Sequence, residues 1–135
     1  MIAVVCIDDG NGMLFNRRRV SRDRVQQEDL LRLSDESKLW INGFSAKLFE
    51  PFAAKVVVDE AFLQLAGRGE FCFVEDQPLQ PWLERLEGVI LYRWNRRYPS
   101  DTVFDLDLSD FVCQERLEFA GSSHEIITRE TYIRK

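Results

Sequence analysis

The chain opens with Met1 to Ile7 (Met-Ile-Ala-Val-Val-Cys-Ile), a short unbroken apolar run rich in β-branched residues that stops at Asp8. A strand with no polar face has to be covered on both sides, which is the environment of a central strand in a parallel sheet flanked by helices. Asp8, Asp9, Gly10, Asn11 and Gly12 then break the run with turn chemistry. The run is too short to span a bilayer, which takes ~20 apolar residues, and it lacks the basic start of a signal peptide. The expectation is a cytoplasmic protein of one domain over residues 1–135, large enough to bury a core without disulfides or metals.

Ser21 is placed to cap a helix from Arg22 to about Leu33, to which Val25, Leu30, Leu31 and Leu33 contribute an apolar face. Lys38 to Asn42 reads as a second strand, and Gly43 as the turn into a short helix from Ser45 to about Glu50, ended by Pro51. Lys55 to Val58 reads as a third strand. Asp59 is positioned to cap a helix over Glu60 to Ala66, with Gly67 in the left-handed C-terminal position. Glu70 to Val74 reads as a fourth strand. Leu79, Trp82, Leu83 and Leu86 fall at helical spacing, and Gly88 releases the chain into the strand Val89 to Trp94. This alternation argues for a mainly parallel sheet with helices on its faces.

The last third changes character. Val103 to Leu106 alternates weakly, Phe111 to Phe119 reads as a longer strand, Ala120 to Ser123 as a hairpin-like turn, and His124 to Arg134 as an alternating strand. The chain should therefore finish with antiparallel strands added to the sheet.

Cys6, Cys72 and Cys113 are widely spaced in apolar runs and read as buried thiols in a reducing compartment. His124 is the only histidine and there is no Cys-x-x-Cys pair, which argues against a histidine-rich metal site. Charge is unevenly placed. Arg17, Arg18, Arg19, Arg22 and Arg24 form one cluster and Arg93, Arg96 and Arg97 another, in a chain whose net charge is -5. An acidic body with two arginine clusters points to a local anion site rather than a general nucleic-acid surface.

Several stretches carry a resemblance. An apolar strand is followed by Asp8 and Gly12-Met13, and Lys38 to Gly43 runs into a short helix. Val58-Asp59-Glu60-Ala61 opens a later helix, Glu70 to Tyr92 has strand, turn, helix and strand without a gap, Asp101-Thr102-Val103-Phe104 follows a long loop, and Ser123-His124 opens the final strand. Together, over nearly the whole chain, these resemble dihydrofolate reductase. The resemblance implies a three-layer α/β/α fold with a mainly parallel central sheet and antiparallel C-terminal strands. It also puts Gly12-Met13 in that family's mobile loop.

The departures fall where the reductase chemistry lies. The family's glycine-rich turn, which lets the backbone approach a pyrophosphate, is here Glu75-Asp76-Gln77-Pro78. Between Phe49 and Val58 the chain lacks room for the strands that hold the adenosine end of NADPH. The family's proton-relaying acid falls at Gln27, with Glu28 and Asp29 beside it, and its strand threonine falls at Tyr92. The pattern Asn11-Gly12-Met13, Phe15-Asn16, Arg18-Arg19, Ser21 and Asp23-Arg24, with Leu39-Trp40 and Ser45-Ala46-Lys47, resembles more closely a small group of bacterial proteins that often carry the label ribonuclease Z. Enzymes truly of that name use a histidine-rich dinuclear zinc motif, which one histidine cannot supply.

The candidate ligand-binding residues are Asn16, Arg17, Arg18, Arg19, Arg22 and Arg24 of the first loop, with Arg96 and Arg97 facing them across a cleft if the resemblance holds. Two such clusters repel unless an anion, or acids such as Asp8, Asp9 and Asp101, neutralise them. Trp94, Tyr92 and Tyr98 read as core and rim aromatics, or as a stacking surface for a base. His124 reads as a residue of a turn or strand start with a local hydrogen bond, and Asp101 as a structural residue that holds the first loop. The expectation is a binding protein for an anionic small molecule or RNA, without cofactor, metal or membrane partner and with no catalytic residue assigned. A reductase with a diverged NADPH site, and a metal-independent ribonuclease using Arg, Tyr92, Glu28 and His124, are the alternatives.

Overall fold

The opening apolar run lies at the centre of a seven-stranded sheet in the computed structural model, which describes residues 1–135. In chain order the elements are β1 (Ile2–Ile7), β2 (Gly12–Phe15), β3 (Arg18–Arg19), α1 (Arg24–Leu33), β4 (Leu39–Ile41), α2 (Gly43–Ala46) and β5 (Val57–Val58). They continue with α3 (Phe62–Leu65), β6 (Phe71–Phe73), β7 (Gly88–Arg93), β8 (Thr102–Val103), β9 (Phe111–Phe119) and β10 (Ile127–Arg134). The sheet order is β5-β4-β6-β1-β7-β10-β9. Neighbours from β5 to β7 are parallel, and β10 runs antiparallel to both β7 and β9. The expected mixed architecture, mainly parallel with antiparallel strands at its C-terminal end, is the one observed.

Successive strand residues face opposite sides, so β1 serves two cores. Ala3, Val5 and Ile7 pack with Phe62, Leu63, Leu79 and Leu86 on one face. Val4 packs with Leu30, Leu31, Phe49 and Phe73 on the other. Each fully buried aliphatic or aromatic side chain contributes about 1.5–3 kcal/mol relative to exposure, which explains why the run tolerates no polar residue before Asp8. No helix is long and apolar enough to cross a membrane.

Local chemistry corrects several boundaries. The cap of α1 is Asp23 rather than Ser21, because its carboxylate accepts from the amides of Val25 and Gln26 at once, at 2.9 and 3.2 Å. The helix accordingly starts at Arg24. Asn42 caps α2 through Ser45 N, and that helix ends at Ala46. Pro51 and Pro81 begin segments, Glu50–Lys55 and Gln80–Arg85, that are 3-10 helices. A 3-10 geometry is common in such short connecting segments. Asp59 closes a local turn on the Ala61 amide at 2.8 Å, and α3 is shorter than expected. The left-handed glycine is Gly69, at φ 76°, not Gly67. Of the thiols only Cys72 is fully buried. Cys6 is partly covered, and Cys113 is exposed because β9 is an edge strand with only Phe111 buried.

The expected loop after β1 is largely a hairpin. β2 pairs antiparallel with β3 and with β8, forming a separate three-stranded sheet. Asp8 anchors its root by accepting from the amides of Gly10, Gly12 and Tyr98 at 2.9, 2.6 and 2.8 Å. Gly12 is needed there, since a Cβ would lie 2.6 Å from that of Ser100. As expected, Asp101 holds the first loop, accepting from Asn16 N at 3.0 Å. The turn joining Phe15 to Arg18 is Asn16-Arg17, both left-handed, at φ 50° and 62°. Such two-residue turns favour Asn-Gly, because a side chain at positive φ costs about 1–2 kcal/mol. Arg17→Gly should therefore raise stability by about 0.5–1 kcal/mol after the extra freedom of the unfolded chain is counted. Urea unfolding checks this, and a lowered midpoint would show that Arg17 makes a stabilising contact of its own.

Candidate functional site

The polar centre of the molecule is built where α1 begins and the β9–β10 hairpin turns. Asp23 Oδ1 caps α1 and also accepts from the Ser122 amide and hydroxyl, at 3.1 and 3.2 Å. Its Oδ2 accepts from the Ser123 amide at 2.7 Å and lies 3.0 Å from His124 Nδ1. Burial pushes this carboxyl's pKa up, but the bond to His124 and the amides of Ser123, Ser122 and Gln26 outweigh it and hold it well below the usual value. His124 Nε2 in turn lies 2.9 Å from Ser21 Oγ and 3.2 Å from the Tyr98 hydroxyl. The imidazole stacks on Trp94, with centroids 4.5 Å apart and planes at 17°. The chain approaches this cluster closely at Gly121, where a Cβ would lie 2.5 Å from Asp23 Oδ2. The partners of His124 are thus distant in sequence, not local as expected, and they hold it in the turn so that β10 begins only at Ile127.

A cleft of about 560 Å³ opens beside Tyr98, between Phe15, Asn16, Arg18, Arg19, Val20 and Pro99. Three of the eight expected ligand residues, Asn16, Arg18 and Arg19, therefore line one wall. Arg17 is exposed on the turn above them. Arg22 is exposed, and Arg24 pairs with Glu28 along α1 at 3.3 Å. Arg96 and Arg97 are exposed in the loop after β7 and do not line this cleft. They border the Asp8 turn instead, where Asp9 N donates to Arg96 O at 2.9 Å.

Arg19 is already engaged. Its Nε and Nη2 donate to both oxygens of Glu75, at 2.8 and 3.0 Å, and its guanidinium lies over the Phe44 ring. The hydrogen bond to Glu75 raises the Arg19 pKa further above its ordinary value. Ser45 Oγ donates to the same carboxylate at 2.7 Å, and the neighbouring Asp76 accepts from Asn42 Nδ2 at 2.9 Å. The acidic turn after β6 is thus satisfied from within the chain.

A second buried network lies between α1 and β7. Asp29 accepts from Arg129 Nη1 at 2.7 and 2.8 Å and from the Tyr92 hydroxyl at 2.6 Å. Burial, then the Asp29 charge, raises the Tyr92 pKa, so its hydroxyl stays protonated and donating. Tyr92 and Trp94 are core residues, leaving Tyr98 as the one of the three at the cleft. Glu28, Tyr92 and His124 each have a different partner and form no common cluster.

No protein-family model matches the chain, and no curated protein matches it. Among solved structures it is similar to the dihydrofolate reductase from Enterococcus faecalis complexed with NADP(H) and RAB-propyl, at a TM-score of 0.72 and 12% identity. The alignment covers 99% of this chain and 95% of that one. The chain has a dihydrofolate reductase-like fold. Within that fold, Ser21 and Asp23 sit just before the first helix and His124 just before the last strand, so sheet topology alone brings them together. Sequence reading assigned Ser21 to a cap and missed the cluster. The available signal was the Ser21-x-Asp23 spacing at a helix start, with the only histidine in a second predicted turn.

The charge of Asp23 makes stability depend on pH. Its folded pKa is depressed, so its contribution is fully present above the ordinary value of 3.8 and fades as pH falls through the lower folded value. Asp23→Asn keeps a helix cap but should flatten the acid limb of the stability profile and lower stability at pH 7. Urea midpoints from pH 2 to 7 would check this. An unchanged acid limb in the variant would place the acid sensitivity on another carboxylate.

Proposed function

We propose that the protein binds a small anionic ligand, a nucleotide, a phosphate ester or the phosphate of an RNA end, in the cleft beside the β2–β3 hairpin. The observation that carries the reading is Arg18, which lines that cleft with no carboxylate partner while Phe15 is 43% exposed beside it. A free guanidinium recognises phosphate or carboxylate oxygens through paired N–H donors, and an exposed aromatic ring offers a face for a base. The volume lies in the range of small-ligand pockets. Arg17 on the exposed turn adds positive potential. Arg22, Arg24, Arg96 and Arg97 contribute at longer range, within about a Debye length of 8–10 Å or not at all at physiological salt.

A thermal-shift and calorimetric series with AMP, ADP, pyrophosphate and a short oligoribonucleotide tests this reading. At least one should stabilise the wild type, and Arg18→Ala should weaken its binding by about 1.5–3 kcal/mol, the usual contribution of a hydrogen bond to a charged group. Equal stabilisation of wild type and variant would remove the cleft from the reading.

Glu75 supports a sharper expectation. Its carboxylate neutralises Arg19 in the cleft wall, so Glu75→Gln should free that guanidinium for the ligand and tighten binding by about 1 kcal/mol, roughly fivefold. Weaker binding by this variant would mean that Glu75 positions Arg19 for the ligand rather than competing with it.

The NADP(H) in the structural neighbour favours a second reading, a reductase with a diverged site. It requires NADPH to quench the fluorescence of the three tryptophans, and absence of quenching at millimolar NADPH removes it. The internal pairing of Glu75 with Arg19 and Ser45 supports the first reading over the second, because a carboxylate there opposes an incoming pyrophosphate.

A further inference from the structure

Ser21, His124 and Asp23 form a chain of side-chain contacts in the order of an activated hydroxyl. Asp23 is ionised and acceptor-only, since both of its oxygens also receive backbone amides, from Val25, Gln26, Ser122 and Ser123. The imidazole spans the carboxylate and the hydroxyl: Nδ1 lies 3.0 Å from Asp23 Oδ2 and Nε2 lies 2.9 Å from Ser21 Oγ, and in the tautomer that donates from Nδ1 to Asp23, Nε2 is the acceptor. The Trp94 face and the Nδ1 bond together fix the plane of the ring, so the geometry of the Ser21 contact does not rely on solvent. Tyr98, 3.4 Å from Ser21 Oγ, supplies a further hydroxyl at the same point.

Ser21 is partly exposed while His124 and Asp23 are buried behind it, and its neighbours Val20 and Tyr98 line the cleft. The backbone amides of Ser21 and Arg22 take no acceptor within the protein. A purely structural staple does not need a partly exposed serine at the end of the chain of bonds.

We propose that Ser21 is a catalytic nucleophile toward small carboxylic esters, with His124 as its general base and Asp23 as the residue that positions His124. Ser21 Oγ bonds to the carbonyl carbon as its proton passes to His124 Nε2. The ester C–O bond then breaks, and the leaving alkoxide takes that proton as an alcohol. A water molecule, deprotonated by His124, attacks the acyl-serine, releasing the acid and returning the proton to Ser21. The inference stands apart from the anion-binding reading, because none of its reacting groups is an arginine side chain.

The test uses the full chain with a fluorophosphonate, which phosphonylates activated serines without needing the natural substrate, and with p-nitrophenyl acetate. Peptide mapping of the labelled wild type should find a single adduct, on Ser21. Ser21→Ala should lose the adduct and the ester turnover while melting within a few degrees of wild type. His124→Gln should label more slowly by about 10²–10⁴-fold, the usual contribution of a general base. Asp23→Asn, assayed below its melting point, should lower the phosphonylation rate constant without moving the adduct from Ser21, a readout that a helix cap alone would not change. No adduct on the wild type, an adduct elsewhere, or ester turnover unchanged in Ser21→Ala overturns the proposal. The mapping is done on wild-type protein, so it decides the matter even if a variant fails to fold. Anion binding that survives a negative result leaves the earlier reading in place.

Discussion

One buried carboxylate ties the two ends of the chain together. Asp23 lies between the first helix and the last hairpin, and it is satisfied by donors that are 2–3 residues away on one side and about 100 away on the other. Removing such an acceptor would leave buried amides without partners, at about 1–3 kcal/mol each. The helix, the Ser122–Ser123 turn and the His124 ring would all lose their reference point together. Gly121 shows how tight the fit is, since no residue with a Cβ can stand there without displacing the carboxylate. The position of β10 against β7, which completes the sheet, depends on the same contact. His124 is held in the turn and Ile127 is the first residue free to pair.

The sheet was readable because its central strands are apolar on both faces. Met1 to Ile7, Glu70 to Val74 and Val89 to Trp94 could be read as strands of a mainly parallel sheet from composition and their alternation with helices, and the C-terminal hairpin from the change in pattern after Ser100. The helical connections were less legible. Proline sits at the start of two of them, and the segments are too short for propensity to distinguish α from 3-10 geometry. The β2–β3 hairpin was hidden for a different reason. Its turn is Asn16-Arg17, and arginine at positive φ carries none of the glycine signal by which such turns are recognised. What holds it is non-local: the Asp101 carboxylate on the Asn16 amide, and β8 alongside β2.

Arginine counts were a poor guide to free charge. Of the residues grouped as one basic loop, Arg19 is spent on Glu75, Arg24 on Glu28, and only Arg17, Arg18 and Arg22 face solvent without an acid. The acidic turn after β6 had been legible as a place that repels phosphate, yet its partner was not, because Arg19 and Glu75 are 56 residues apart and meet only when β3 folds over α2. The pairing neutralises one guanidinium of the loop from within the chain and leaves Arg17, Arg18 and Arg22 as its free positive charge.

The same consideration narrows where chemistry can occur. Two of the buried polar networks differ in how they end. Asp29 is held by Arg129 Nη1 on both oxygens and by the Tyr92 hydroxyl, with the exposed Arg32 and Glu115 extending the ion-pair network to the surface, and the phenol's raised pKa keeps it protonated. Such a set is rigid, and it resists any proton transfer, since each proton is held by a full or partial opposite charge. The Asp23 set is open at one end. Its internal donors saturate the carboxylate, yet the last member is Ser21, a partly exposed residue whose neighbours Val20 and Tyr98 line a cleft. A polar network that terminates at solvent in a nucleophilic atom can exchange a proton with a bound molecule without breaking the bonds that hold the fold. Reactivity therefore belongs at Ser21, on the side of the sheet where the first helix and last hairpin meet, and not at the acid buried between α1 and β7.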